Sequence, residues 1–98
     1  MNEEEKQGPP IQVEIGEKES EGVYTNFFLI AHSSSEFIID CARILPGLAK
    51  AKVFARIVTT PQHAKLLLNA LEENIRKYEE RFGKIKVPGK EETKTFGF

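Results

Sequence analysis

From residue 64 to residue 82 apolar side chains recur at steps of four and three: Ala64, Leu68, Leu71, Ile75, Tyr78 and Phe82. That spacing puts them on one stripe of a helix with 3.6 residues per turn. Both ends are marked in the sequence. Thr60 is a capping residue, Pro61 suits the first helical position, and Gly83 suits a left-handed stop. The pattern predicts one helix over 61–82, about 33 Å long at 1.5 Å per residue. Leu66, Leu67 and Ala70 widen the apolar arc beyond a narrow seam, which favours packing on a sheet. The alternative is a seam against the same helix of a second subunit.

Upstream the period changes to two. Ile11, Val13 and Ile15 alternate with Gln12 and Glu14, and 23–32, 36–45 and 51–59 read as three further strands. The breaks fall at the charged stretch 16–22, at Ser33-Ser34-Ser35, and at Pro46-Gly47 with residues 48–50. Short connections favour antiparallel neighbours. The expected fold is therefore α+β: a four-stranded antiparallel meander followed by one long C-terminal helix packed on one face. Domain limits follow, with a flexible lead-in over 1–10, one domain over 11–83, and a tail over 84–98.

Side-chain parity then sorts the strands into two faces. The odd-numbered one, with Phe27, Leu29, Ala31, Phe37, Ile39, Cys41 and Ile57, is apolar and is the expected seat of the helix. The even-numbered one carries Tyr24, Phe28, Ile30, Ile38, Asp40, Phe54, Arg56 and Val58. So many apolar groups are not usually left in water, and one helix cannot cover both faces. These eight residues are the expected interface, most economically with another copy of the chain.

Composition narrows the classes further. Fourteen basic and fifteen acidic side chains in 98 residues nearly cancel, so no global field draws the chain to nucleic acid or anionic lipid. The longest apolar run, residues 27–31, is too short to cross a bilayer. An acidic N-terminus unlike a secretory signal and a single cysteine, Cys41, lead us to expect a cytoplasmic protein.

Several blocks together resemble one family: Val23-Tyr24-Thr25-Asn26-Phe27, Ser35 to Asp40, Arg43 to Gly47, and Ala55 to Lys65 leading to Tyr78-Glu79. They are similar to a group of bacterial and archaeal proteins catalogued as a domain of unknown function, number 3467. The resemblance covers roughly residues 11–87. It implies a compact stand-alone domain and brings no catalytic residues with it. The order of strands followed by a long helix is also similar, in topology alone, to the SecB export chaperones.

Individual residues give few chemical leads. With Leu45 opposite Ala51, Asp40 falls directly across from Arg56, a cross-strand ion pair. His32, Ser33, Ser34, Ser35 and Glu36 gather at one turn, but no glycine-framed elbow surrounds a serine, and turn chemistry accounts for them. His63 stands three residues after Thr60, where a capping box would carry Glu or Gln. The spacings expected of a zinc site are missing. Cys41 reads as a small buried hydrophobe. Glu72–Arg76 and Glu73–Lys77 are favourable four-apart pairs on a solvated helix face.

The expectation is a non-catalytic homo-oligomer, an adaptor, assembly or chaperone-like binder, with no cofactor and no metal. A tail at Phe96-Gly97-Phe98 that docks on a neighbour would fit that role. The runner-up is a small nucleic-acid-binding regulator using Lys50, Lys52 and Arg56 beside Tyr24, Phe28 and Phe54.

Overall fold

A computed structural model describes residues 10–88. The lead-in, apart from residue 10, and the Phe96–Phe98 tail lie outside the described residues. The order of elements is α1 (Glu17–Glu21), β1 (Phe27–His32), β2 (Phe37–Arg43), β3 (Lys52–Thr59) and α2 (Pro61–Phe82). The strands form one antiparallel sheet in the order β1-β2-β3. An α+β arrangement with a long C-terminal helix is therefore present, but among the described residues the sheet has three strands.

The missing strand is the segment Ile11–Ile15, which alternates as a strand should yet pairs with nothing among the described residues. Alternation makes a segment competent to be a strand; an edge must still be offered to it. Residues 17–21, expected as a turn, form the single-turn helix α1, with the Ser20 amide bonded to the Gly16 carbonyl at 2.9 Å. The strand expected from residue 23 starts only at Phe27. Before it, the Asn26 backbone amide donates to the Ala42 carbonyl at 3.2 Å, and the Asn26 side chain extends the pairing to Ile44. Its Oδ1 accepts the Ile44 amide at 2.8 Å and its Nδ2 donates to the Ile44 carbonyl at 3.1 Å. A side-chain amide offers one donor and one acceptor, as a peptide does, so it can mimic a paired residue.

The α2 limits are as the sequence reads, although Gly83 ends the helix in a conformation other than the expected left-handed one. The Thr60 hydroxyl accepts the His63 amide at 3.0 Å, Pro61 opens the helix, and the Gly83 amide donates to the Glu79 carbonyl at 2.9 Å. Gly83 has φ 101° and ψ 168°, so its stop lies outside the left-handed helical region, in space open mainly to glycine. Removing the cap with Thr60→Ala should lower stability by about 1 kcal/mol. A urea melt at fixed protein concentration would show it as a lower midpoint with an unchanged slope.

The larger departure is where α2 sits. Packing is extensive only between neighbouring strands, and no residue of α2 is buried. Its apolar stripe remains about half in solvent, with Leu71 at 55% and Phe82 at 66%. The helix does not close over its own sheet. Among the described residues only Cys41 and Ala42 are buried. β3 runs into Pro61 through the single residue Thr60, and only the N-terminal half of α2, from Pro61 to Leu71, faces the sheet.

The register also corrects the assignment of faces. Phe28 stands opposite Cys41 and Ile30 opposite Ile39, while Leu29 stands opposite Asp40. Directly opposed residues share a face. Phe28 and Ile30 therefore lie with Phe37, Ile39, Cys41 and Ile57, and Phe27, Leu29 and Ala31 lie with Ile38 and Asp40. Parity carries across a hairpin only when the loop length keeps it, and the Ser33–Ser35 turn reverses it. An irregularity at Cys41/Ala42 shifts the β2–β3 register, pairing Cys41 with Ala55 but Ala42 with Val53, so Phe54 is the extra residue of a bulge.

Candidate functional site

The candidate site is an apolar groove of about 340 Å³ between the sheet and the N-terminal half of α2. Ile30, Phe37 and Ile39 come from the sheet; Pro61, Ala64, Leu67, Leu68 and Leu71 come from the helix. The cap at Thr60 fixes how α2 leaves β3, and the register places Ile30 beside Ile39 to form the floor. The lining is apolar apart from Lys65, also from the helix, so it can exclude water and presents one cationic group. Among the described residues no group of three or more His, Cys, Asp or Glu side chains gathers to hold a metal.

The residues expected at an interface divide between the two faces. Phe28 and Ile30 belong to the groove side. Ile38, Asp40, Arg56 and Val58 occupy the other side, in the cross-strand pairs Asp40–Arg56 and Ile38–Val58. Phe54 lies under the Arg43 guanidinium, 4.8 Å from its carbon to the ring centroid. Tyr24 is exposed and precedes β1. The apolar patch is thus larger on the face expected to be already covered. Leu67, Leu68 and Leu71 were legible only as a lid, because the stripe reveals what a helix must bury and not whose surface buries it.

Asp40 and Arg56 pair across β2 and β3 as the spacing predicts. Nε donates to Oδ1 at 2.7 Å and a terminal nitrogen donates to Oδ2 at 2.8 Å, a forked contact. The Asp40 side chain is 13% exposed, the Arg56 side chain 62%. Hydrogen bonding to Arg56 is the main cause that holds the Asp40 carboxyl below its ordinary value, against a smaller upward push from desolvation. Asp40 in turn raises the already high Arg56. A carboxyl lowered in the folded state stabilises the fold above the unfolded value near pH 4 and ceases to do so as pH falls through the lowered value. Asp40→Asn should therefore be less stable than the parent at pH 7, with the gap closing below about pH 4. Paired urea melts from pH 7 down to pH 2 would check this.

The remaining polar candidates are engaged locally. The Ser33 hydroxyl accepts the Ser35 and Glu36 amides, each at 3.2 Å, and closes the turn. His32 stacks on Phe37 with centroids 5.5 Å apart. His63 Nδ1 lies 2.7 Å from the Thr60 hydroxyl, so its ring joins the cap. Cys41 is a free, buried thiol. On α2, Glu73 and Lys77 meet at 3.6 Å, whereas Arg76 reaches forward to Glu80 at 2.8 Å and not back to Glu72.

No described helix is long and apolar enough to cross a membrane. Comparison with curated proteins and with solved structures returns no match. A family model described as protein of unknown function (DUF3467) matches residues 1–87, nearly the full length of the chain. The groove, the uncovered helix and the three-stranded sheet are therefore those of a protein that belongs to the DUF3467 family.

Proposed function

We propose that the chain is a non-catalytic protein-interaction domain that works as a homodimer, each copy seating its α2 in the groove of the other. An adaptor or assembly role, or a chaperone-like binder, fits such a module. The carrying observation is the pair of unfilled complements on one chain. Among the described residues a helix stripe stays about half exposed, and so does the sheet face beside it.

Area supports the same reading. Seven half-exposed α2 side chains, Leu66, Leu67, Leu68, Leu71, Ile75, Tyr78 and Phe82, leave on the order of 700 Å² in water, near the ~800 Å² per partner of a standard interface. Phe28, Ile30 and Ile57 on the groove face add to it. A two-fold arrangement satisfies both halves at once, because the patch that donates the helix also receives one. A small domain that hides this little surface alone gains most by association.

The nucleic-acid reading draws no comparable support. It needs Phe28 and Arg56 on one surface, and they lie on opposite faces with Arg56 occupied by Asp40. Sedimentation equilibrium tests the proposal. Twice the chain mass over the accessible concentration range is expected, and a stable folded monomer throughout would refute it.

A further inference from the structure

We infer that Ile11–Ile15 of one chain completes the sheet of a second copy, adding as a further strand along the outer edge of β1 from Phe28 to His32. The inference rests on the dimer proposed above and deepens it.

Among the described residues, the outer edge of β1 from Phe28 to His32 has unused backbone groups in a definite pattern. The Ser33 amide donates to the Glu36 carbonyl at 2.9 Å and closes the hairpin. In an antiparallel ladder the bonded pairs alternate from that point, through Ala31–Ile38, Leu29–Asp40 and Phe27–Ala42. The N–H and C=O groups of Phe28, Ile30 and His32 therefore turn outward. The Phe27–His32 strand contains no Lys, Arg, Asp, Glu or Pro, the residues that usually blunt an edge against added strands. The other free edge, on β3, carries Lys52 and Arg56.

Ile11–Ile15 has the complementary deficit. Among the described residues no backbone group of this segment makes a hydrogen bond, and Ile11 and Val13 are each 89% exposed, Ile15 68%. Its length matches the edge from Phe28 to His32. With Val13 opposite Ile30, the antiparallel register puts Ile11, Val13 and Ile15 on the groove face beside Phe28 and Ile30. Gln12 and Glu14 then fall on the other face. The added strand widens the apolar floor that receives the second copy's helix. Residues 16–26 fold as α1 and the Asn26 clamp, not as the tight turn that would lay 11–15 beside β1 of its own chain.

Disulfide trapping in the full chain, with Cys41→Ala to remove the native thiol, tests the register. Glu14 and Leu29 would be a non-hydrogen-bonded pair with Cα atoms about 4.5 Å apart, within disulfide reach. Chains carrying Glu14→Cys alone and Leu29→Cys alone are mixed in urea, refolded together and oxidised. A covalent pair on non-reducing electrophoresis is expected, and none from Val13→Cys mixed with Ile57→Cys, which samples the β3 edge. A dimer by sedimentation with the β3 link in place of the β1 link would overturn the inference and leave the dimer standing. So would a link that forms only within a chain carrying both Glu14→Cys and Leu29→Cys. A monomeric mass would overturn both.

Discussion

Leu71→Glu should convert the protein from dimer to monomer and abolish its cooperative melting at micromolar concentration. Leu71 lies in the groove and on the α2 stripe at once. In a two-fold dimer each substitution therefore appears twice. An unpaired charge in a dry contact costs about 3–5 kcal/mol, so two of them raise the dissociation constant by a factor of roughly 10⁴ or more, at 1.4 kcal/mol per tenfold. Sedimentation velocity with circular dichroism would register both changes. Arg76→Ala, which removes only an exposed four-apart ion pair with Glu80, should alter stability by less than about 0.5 kcal/mol and leave the mass unchanged. A Leu71→Glu dimer of unaltered affinity would place the contact elsewhere.

Phe28→Glu carries the second large effect, and it separates the two faces of the sheet. The register puts Phe28 opposite Cys41 on the groove side, where a second helix would cover it. A charge there should weaken association at least 100-fold, the equivalent of about 2.8 kcal/mol. Val58→Glu is the contrasting variant, because Val58 is exposed on the other side, opposite Ile38. It should leave the dimer mass unchanged. Equilibrium sedimentation of the two variants across a concentration series decides between the faces. Dissociation by Val58→Glu with Phe28→Glu intact would return the interface to the Asp40–Arg56 face.

How much of this was readable from the chain follows from the range of each interaction. The α2 limits were legible because caps and stops act on the few residues beside them, as Thr60 with His63 and Gly83 with Glu79 show. The Asp40–Arg56 pairing came out as expected although the ladder beside the Pro46–Lys50 loop, with Arg43 opposite Lys52, is one residue off the expected register and only the Phe54 bulge restores it. Parity across β1 and β2 was misread because it turns on a single residue in the Ser33–Ser35 turn. The bulge at Phe54 has no local signal comparable to a glycine or proline. Alternation in Ile11–Ile15 pointed to a strand that the described residues do not form, because an alternating segment still needs an edge to pair with.

The same limit explains the groove. Apart from Lys65 and the helix-opening Pro61, the residues that line it were recognised as apolar, and the α2 stripe was recognised as needing cover. The step from stripe to lid assumed that the nearest sheet was the partner. In the structure α2 leaves β3 after one linking residue, faces the sheet only through its N-terminal half and has no buried residue. The apolar excess then falls on the groove side, where helix and sheet are both unfilled, and the eight residues expected at one interface separate into two sets.

Whether the cover for α2 comes from another molecule is most directly measured by isotope-filtered nuclear Overhauser contacts in a mixed sample. One chain population carries labelled Leu methyl groups and the other labelled Ile methyl groups. Contacts from Leu68 and Leu71 of one chain to Ile30 and Ile39 of the other are the expected result. Methyl groups of α2 that touch only their own chain, or only solvent, would contradict it.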